Sequence, residues 1–128
     1  MAGSVVADTL QDGAGNSTSM DNAIFGSAKA WVNYNQSSTT VVSSYNVSSV
    51  TYNSTGAFTV NFINAFVDTN YGLVSTVSYS TAGTFNSAAG YVSGTQTTSS
   101  CKIATWNTNS SGSGSLTDFA KVSVWFFR

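Results

Sequence analysis

The side chains from which most active sites are built are scarce in this chain of 128 residues, which holds five Asp, four cations, one Cys, and neither His nor Glu. Without His there is no side chain whose ordinary pKa lies near neutrality, so Ser-His-Asp, Cys-His and His-metal arrangements are excluded. A paired-carboxylate mechanism needs two of Asp8, Asp12, Asp21, Asp68 and Asp118 to converge. The first three fall near the N-terminus and the other two in turn-like sequence, where Asp ordinarily serves as a cap or turn residue. Ser is so abundant that its pairing with any Lys says nothing specific about a Ser-Lys dyad. Asp12 with Asn16, and Asp68 with Asn70, offer oxygen ligands for calcium, but both lack the carboxylate density of a dedicated loop and read as solvated turns. Cys101, within Ser100-Cys101-Lys102-Ile103-Ala104, reads as a small buried strand residue rather than a nucleophile, and a single Cys forms no internal disulfide. The expectation is a non-enzymatic protein with no catalytic residue, metal or cofactor.

The charge pattern narrows the partners. Charged residues make up 7% of the chain and the net charge is −1, with Lys29, Lys102, Lys121 and Arg128 scattered along it, so no nucleic-acid partner is expected. No run approaches the roughly 18 to 20 apolar residues of a membrane-spanning helix, and the N-terminus lacks the basic and apolar regions of an export signal. Solubility must come from Ser, Thr and Asn, which favour turns and strand faces over helix interiors. Aromatic residues at 13% supply the apolar surface that a disordered chain lacks. Asn-x-Ser/Thr sequons at Asn16, Asn35, Asn46, Asn53 and Asn109 are what this composition produces by chance.

The elements that would carry these residues are strands. Phe58, Val60 and Phe62 alternate with Thr59 and Asn61, and Asn53-Ser54-Thr55-Gly56 joins that run to Val47–Tyr52 as a hairpin. Further strands are expected over Ala28–Asn35, Tyr71–Tyr79, Ala89–Thr95, Ser100–Trp106 and Phe119–Phe127, with a turn at Ala82-Gly83-Thr84 or Asn86-Ser87. At most one turn of helix fits, near Leu116-Thr117-Asp118-Phe119, and residues 107–115 read as a flexible loop. About seven or eight short strands predict an all-β fold, an antiparallel β-sandwich or jelly-roll-like barrel, over residues 25–128. Residues 1–24 have too little apolar content for a core and read as an extended arm ordered against a partner, with Val5, Val6 and Leu10 as its anchors.

Two further surfaces stand out. The last strand ends apolar on both faces, which places Trp125, Phe126 and Phe127 either deep in the sandwich or at a subunit interface. No Pro and few charges blunt the sheet edges, so a homo-oligomer is expected. Tyr91, Trp106, Asn107 and Asn109 combine aromatic and amide groups suited to a glycan, although core or interface packing is the commoner role of such aromatics.

Ala28-Lys29-Ala30-Trp31-Val32-Asn33-Tyr34-Asn35, Tyr45-Asn46-Val47-Ser48-Ser49-Val50-Thr51 and Thr55-Gly56-Ala57-Phe58-Thr59-Val60-Asn61-Phe62 together resemble a module of tailed-bacteriophage virion proteins. Ala65–Tyr71 continues the pattern, and Val6–Asn16 resembles the anchor segments that precede the module in phage fibre and head-surface proteins. The resemblance runs over about residues 5–79, with Ala57 where an acidic residue is common and Ile63 as a second departure. It implies a structural protein that is often trimeric, made in the host bacterial cytoplasm and displayed on the virion surface. The expected role is a capsid decoration or cement protein held to major capsid or tail subunits by its arm. The alternative is a tail-fibre or receptor-binding tip that contacts host glycan.

Overall fold

The computed structural model describes residues 3, 6–19, 23, 26–78, 86–108 and 112–128, and these form an all-β sandwich preceded by a small hairpin. The hairpin joins β1 (Thr9–Gln11) to β2 (Ser17–Ser19). One layer of the sandwich contains β4 (Thr40–Tyr45), β3 (Ala28–Asn35), β11 (Lys121–Phe127) and β7 (Gly72–Ser78), in that order. The other contains β5 (Val47–Ser54), β6 (Ala57–Phe62) and β9 (Ser100–Thr108). Here β8 (Asn86–Tyr91) pairs along one edge of β9, and β10 (Gly114–Leu116) pairs with the far end of its other edge, beyond β6. Among the described residues all pairings are antiparallel and no barrel closes.

Period-two alternation explains the two layers. Ala30, Val32 and Tyr34 of β3, Phe58, Val60 and Phe62 of β6, Cys101 and Ile103 of β9, and Val122, Val124 and Phe126 of β11 all point inward and form one core. Phe62 meets Phe66, Tyr71 and Phe126 edge-on, with centroids 4.8, 6.0 and 5.0 Å away. Such edge-to-face contacts add to the stabilisation from apolar burial.

The exposed edges have their own protection. The pairings that involve β4 and β5 are broken by register shifts, irregularities that twist an edge away from intruding strands. The edges of β7 and β8 lie against each other, and Ser75 Oγ donates to the Ala89 carbonyl at 2.6 Å. Irregular register thus does part of what the missing prolines and charges would otherwise do.

Two corners set the connections. β4 passes to β5, and so from one layer to the other, through Asn46 at φ 55°. Asn is among the few residues with a side chain that enter this left-handed region readily. Its amide donates to the carbonyls of Lys29 and Asn64 and accepts from the Asn64 N–H at 2.8 Å, tying three segments together. At the opposite end, Gly56 turns β5 into β6 at φ 68°. There the Asp118 carboxylate accepts from the Gly56 N–H at 2.7 Å and the Tyr52 hydroxyl at 2.8 Å. Beside it, buried Gln36 accepts from the Thr105 hydroxyl at 2.9 Å.

Several expectations shift. β4 and β10 were not foreseen, and Asn86 and Ser87 begin β8 instead of forming a turn. Leu116–Phe119 is not helical, because Leu116 ends β10 and the Asp118 carboxylate is engaged at Gly56. Asn107, Thr108, Gly114 and Ser115 belong to paired strands instead of a loop. Ala82-Gly83-Thr84 lies outside the described residues. Residues 9–19 turn back as a hairpin instead of running as an extended arm, because the Asp12 carboxylate accepts from the Ala14 and Asn16 N–H groups and Gly15 takes φ 88°.

Candidate interaction surfaces

Several of the groups that could do chemistry are engaged in the fold or buried. Asp12 closes the hairpin turn and accepts from the Asn16 side-chain amide at 2.9 Å, which holds its carboxyl below the usual range. Asp68 is held low mainly by hydrogen bonding to the Arg128 guanidinium, and its Oδ1 also accepts from the Asn70 N–H. Lys29 Nζ donates to Ser27 Oγ at 3.0 Å, an exposed contact. Among the described residues no three His, Cys, Asp or Glu side chains gather as metal ligands.

Cys101 is fully buried, and that burial pushes its thiol up to about 11. The thiol ionises near its ordinary value of 9.0 once the chain unfolds. Its contribution to stability is therefore complete below pH ~9 and is lost as pH rises towards ~11, by about 2–3 kcal/mol. Burial raises Tyr71 as well and gives the same sign. Denaturant midpoints measured from pH 8 to 11 should fall, and Cys101→Ala should reduce the slope. A thiol reagent should label Cys101 at the rate of unfolding, not at the rate of a free thiol.

In the N-terminal segment every described residue from 6 to 19 is exposed, Val6 by 96% and Leu10 by 49%. Two three-residue strands without a core are marginal by themselves, and the Asx turn at Asp12 shapes a segment in which Val6 and Leu10 are exposed. Val5 lies outside the described residues.

The last strand divides by face. Phe126 is fully buried against Phe62 and Tyr71, so it belongs to the chain's own core and is unavailable as an interface residue. Trp125 and Phe127 are half-buried. Trp125 stands opposite Trp31 of β3 and Val74 of β7, and Trp31 stands opposite Tyr45 of β4. Directly opposed residues share a face, so Tyr45, Trp31, Trp125 and Val74 form one row across the outer side of the four-stranded sheet. The next row, Ser43, Asn33, Ser123 and Thr76, is entirely hydroxyl and amide. The Asn33 Oδ1 there is buried without a hydrogen-bond partner.

The residues read from the sequence as glycan contacts do not share a face. Tyr91 stands opposite Ile103, an inward position, whereas Trp106 points outward beside Ala88. Asn107 follows Trp106 on the strand and points the other way. The Trp106 ring lies over Gly90, close enough that a Cβ there would meet it at 3.5 Å. Asn109 lies outside the described residues. Further along the same outer face, opposite Ser100 and Lys102, polar groups satisfy one another: the Asn61 amide donates to Ser49 and Thr51 hydroxyls, and Thr59 donates to Asn53.

A cavity of about 460 Å³ opens where β4 ends, lined by Lys29, Tyr45, Asn46, Asn64, Phe66 and Arg128 among others. Its wall is fixed by the Asn46 clamp. Tyr45 and Lys29 belong both to this cavity and to the outward side of the four-stranded sheet. Sequence reasoning missed Tyr45, Asn33 and the cavity. The only signal was the recurrence of Trp or Tyr at outward parity in three strands, and which strands adjoin was not readable. No protein-family model, curated protein or solved structure matches this chain.

Proposed function

We propose that this chain is a non-enzymatic structural protein of a phage virion, a capsid decoration or cement subunit attached through its N-terminal segment. The observation that carries the reading is the contrast between a sandwich whose core begins at Ala30 and a hairpin that buries nothing. The sandwich is complete without residues 6–19, and those residues gain their burial only on a partner. Charge supports the division of labour. Residues 1–24 hold Asp8, Asp12 and Asp21 and no cation, while the remainder holds all four cations and the other two carboxylates. Acidic segments repel one another, so charge favours the segment lying on another surface over pairing with a second N-terminal segment.

Under this reading the subunit is made in the host bacterial cytoplasm, assembles as a homotrimer and binds major capsid or tail subunits. Particles of a phage lacking the gene, mixed with purified full-length protein and sedimented, should carry the protein down to a saturating ratio. Protein that stays in the supernatant at every ratio would count against the proposal.

A further inference from the structure

The row Tyr45–Trp31–Trp125 is one side chain wide and three strands long. Neighbouring strands lie about 4.8 Å apart, so the three aromatics follow one another at the spacing at which successive rings of an extended glycan follow one another. Tyr45 is 59% exposed and Val74 56%, whereas both Trp side chains are half-buried within the sheet surface. A protein interface of this kind would continue apolar around its centre. On the side away from Phe127 the aromatic row gives way to Ser43, Asn33, Ser123 and Thr76, of which Ser43 and Thr76 are exposed while Ser123 and the unpartnered Asn33 Oδ1 are buried. A strip of aromatic surface bordered by hydroxyls and amides matches a ligand whose rings have a C–H face and a hydroxyl rim.

Charge selects within that class. None of β3, β4, β7 and β11 carries a carboxylate, while Lys29 and Lys121 lie on their outward side. The row ends at Tyr45 in the cavity lined by Lys29, Asn64 and Arg128, although Asp68 takes up part of the Arg128 charge. We propose that this outer sheet face is a binding platform for an acidic oligosaccharide, whose rings stack along Trp125, Trp31 and Tyr45 and whose terminal unit enters the cavity. The platform is separate from the hairpin and does not depend on where a particle carries the subunit.

The test is calorimetric titration of the full chain with tetragalacturonate, α2,8-linked tetrasialate and cellotetraose at about 0.15 M salt. At least one acidic probe should bind more tightly than the neutral one. Trp31→Ala and Trp125→Ala should each weaken that binding roughly tenfold. Tyr45→Ala, at an exposed position that leaves the core intact, should weaken it in the same direction. Lys29→Ala with Lys121→Ala should remove the preference for the acidic probes, and Trp106→Ala, on the opposite sheet, should bind as the parent does. Silence with all three probes up to about 10 mM would overturn the proposal. So would equal loss in Trp106→Ala, or a Trp125→Ala chain that loses self-association in sedimentation and shows no change in glycan binding. Each of these results would leave particle attachment through the hairpin standing.

Discussion

Deleting residues 1–22 should leave a sandwich that melts cooperatively near the full-length midpoint yet fails to co-sediment with particles. Among the described residues no core residue precedes Ala30 and residues 6–19 are all exposed, so the deletion removes none of the described burial. It does remove the segment that has most to gain from a partner. Burying a Val or Leu side chain contributes roughly 1.5–3 kcal/mol, so loss of Val6 and Leu10 together should weaken attachment by about 100-fold or more. Val6→Asp and Leu10→Asp should each give a part of that loss. Asp12→Ala should also weaken attachment without touching the anchors, because it removes the acceptor that shapes the turn. Full attachment by the truncated chain would assign the contact to the sandwich.

Gly56→Ala should be the most damaging single substitution in the sandwich. A Cβ at this position would lie 2.6 Å from Leu116 Cβ, 2.6 Å from the Thr105 carbonyl and 2.7 Å from the Thr117 nitrogen. Two of those neighbours are backbone atoms held in place, since the Thr105 N–H donates to the Gly56 carbonyl and the Thr117 N–H to the Thr105 carbonyl. The φ of 68° adds strain for any residue with a side chain. Relieving the clash means moving the Gly56 turn away from Thr105 of β9 and Leu116 of β10, which also disturbs the buried Gln36–Thr105 pair. The expected loss is about 3–5 kcal/mol, read as a shift in denaturant midpoint. A loss under about 1 kcal/mol would mean that this corner yields more easily than its hydrogen bonds imply.

Much of the sandwich was legible because the core strands alternate cleanly. Ala28–Asn35 and Ala57–Phe62 were read with the bounds they have. β4 escaped because every residue of Thr40–Tyr45 is exposed, so no buried face imprints a period on it. The hairpin in the N-terminal segment escaped for a related reason: its order comes from the Asp12 side chain and Gly15, not from apolar patterning. Trp106 and Asn107 are consecutive on a strand, so alternation alone keeps them from facing the same ligand. The row of Tyr45, Trp31 and Trp125 was not readable in advance. It depends on β11 lying beside β3, some ninety positions away in sequence, and on a register that composition does not encode.

A reconstruction, at side-chain resolution, of phage particles to which this chain has been added tests the proposed role most directly. The account predicts the sandwich on the outer surface, with residues 6–19 laid against a neighbouring subunit and Val6 and Leu10 buried there. Particles that are complete without the chain, or a chain attached through its sandwich with residues 6–19 free in solvent, would contradict it.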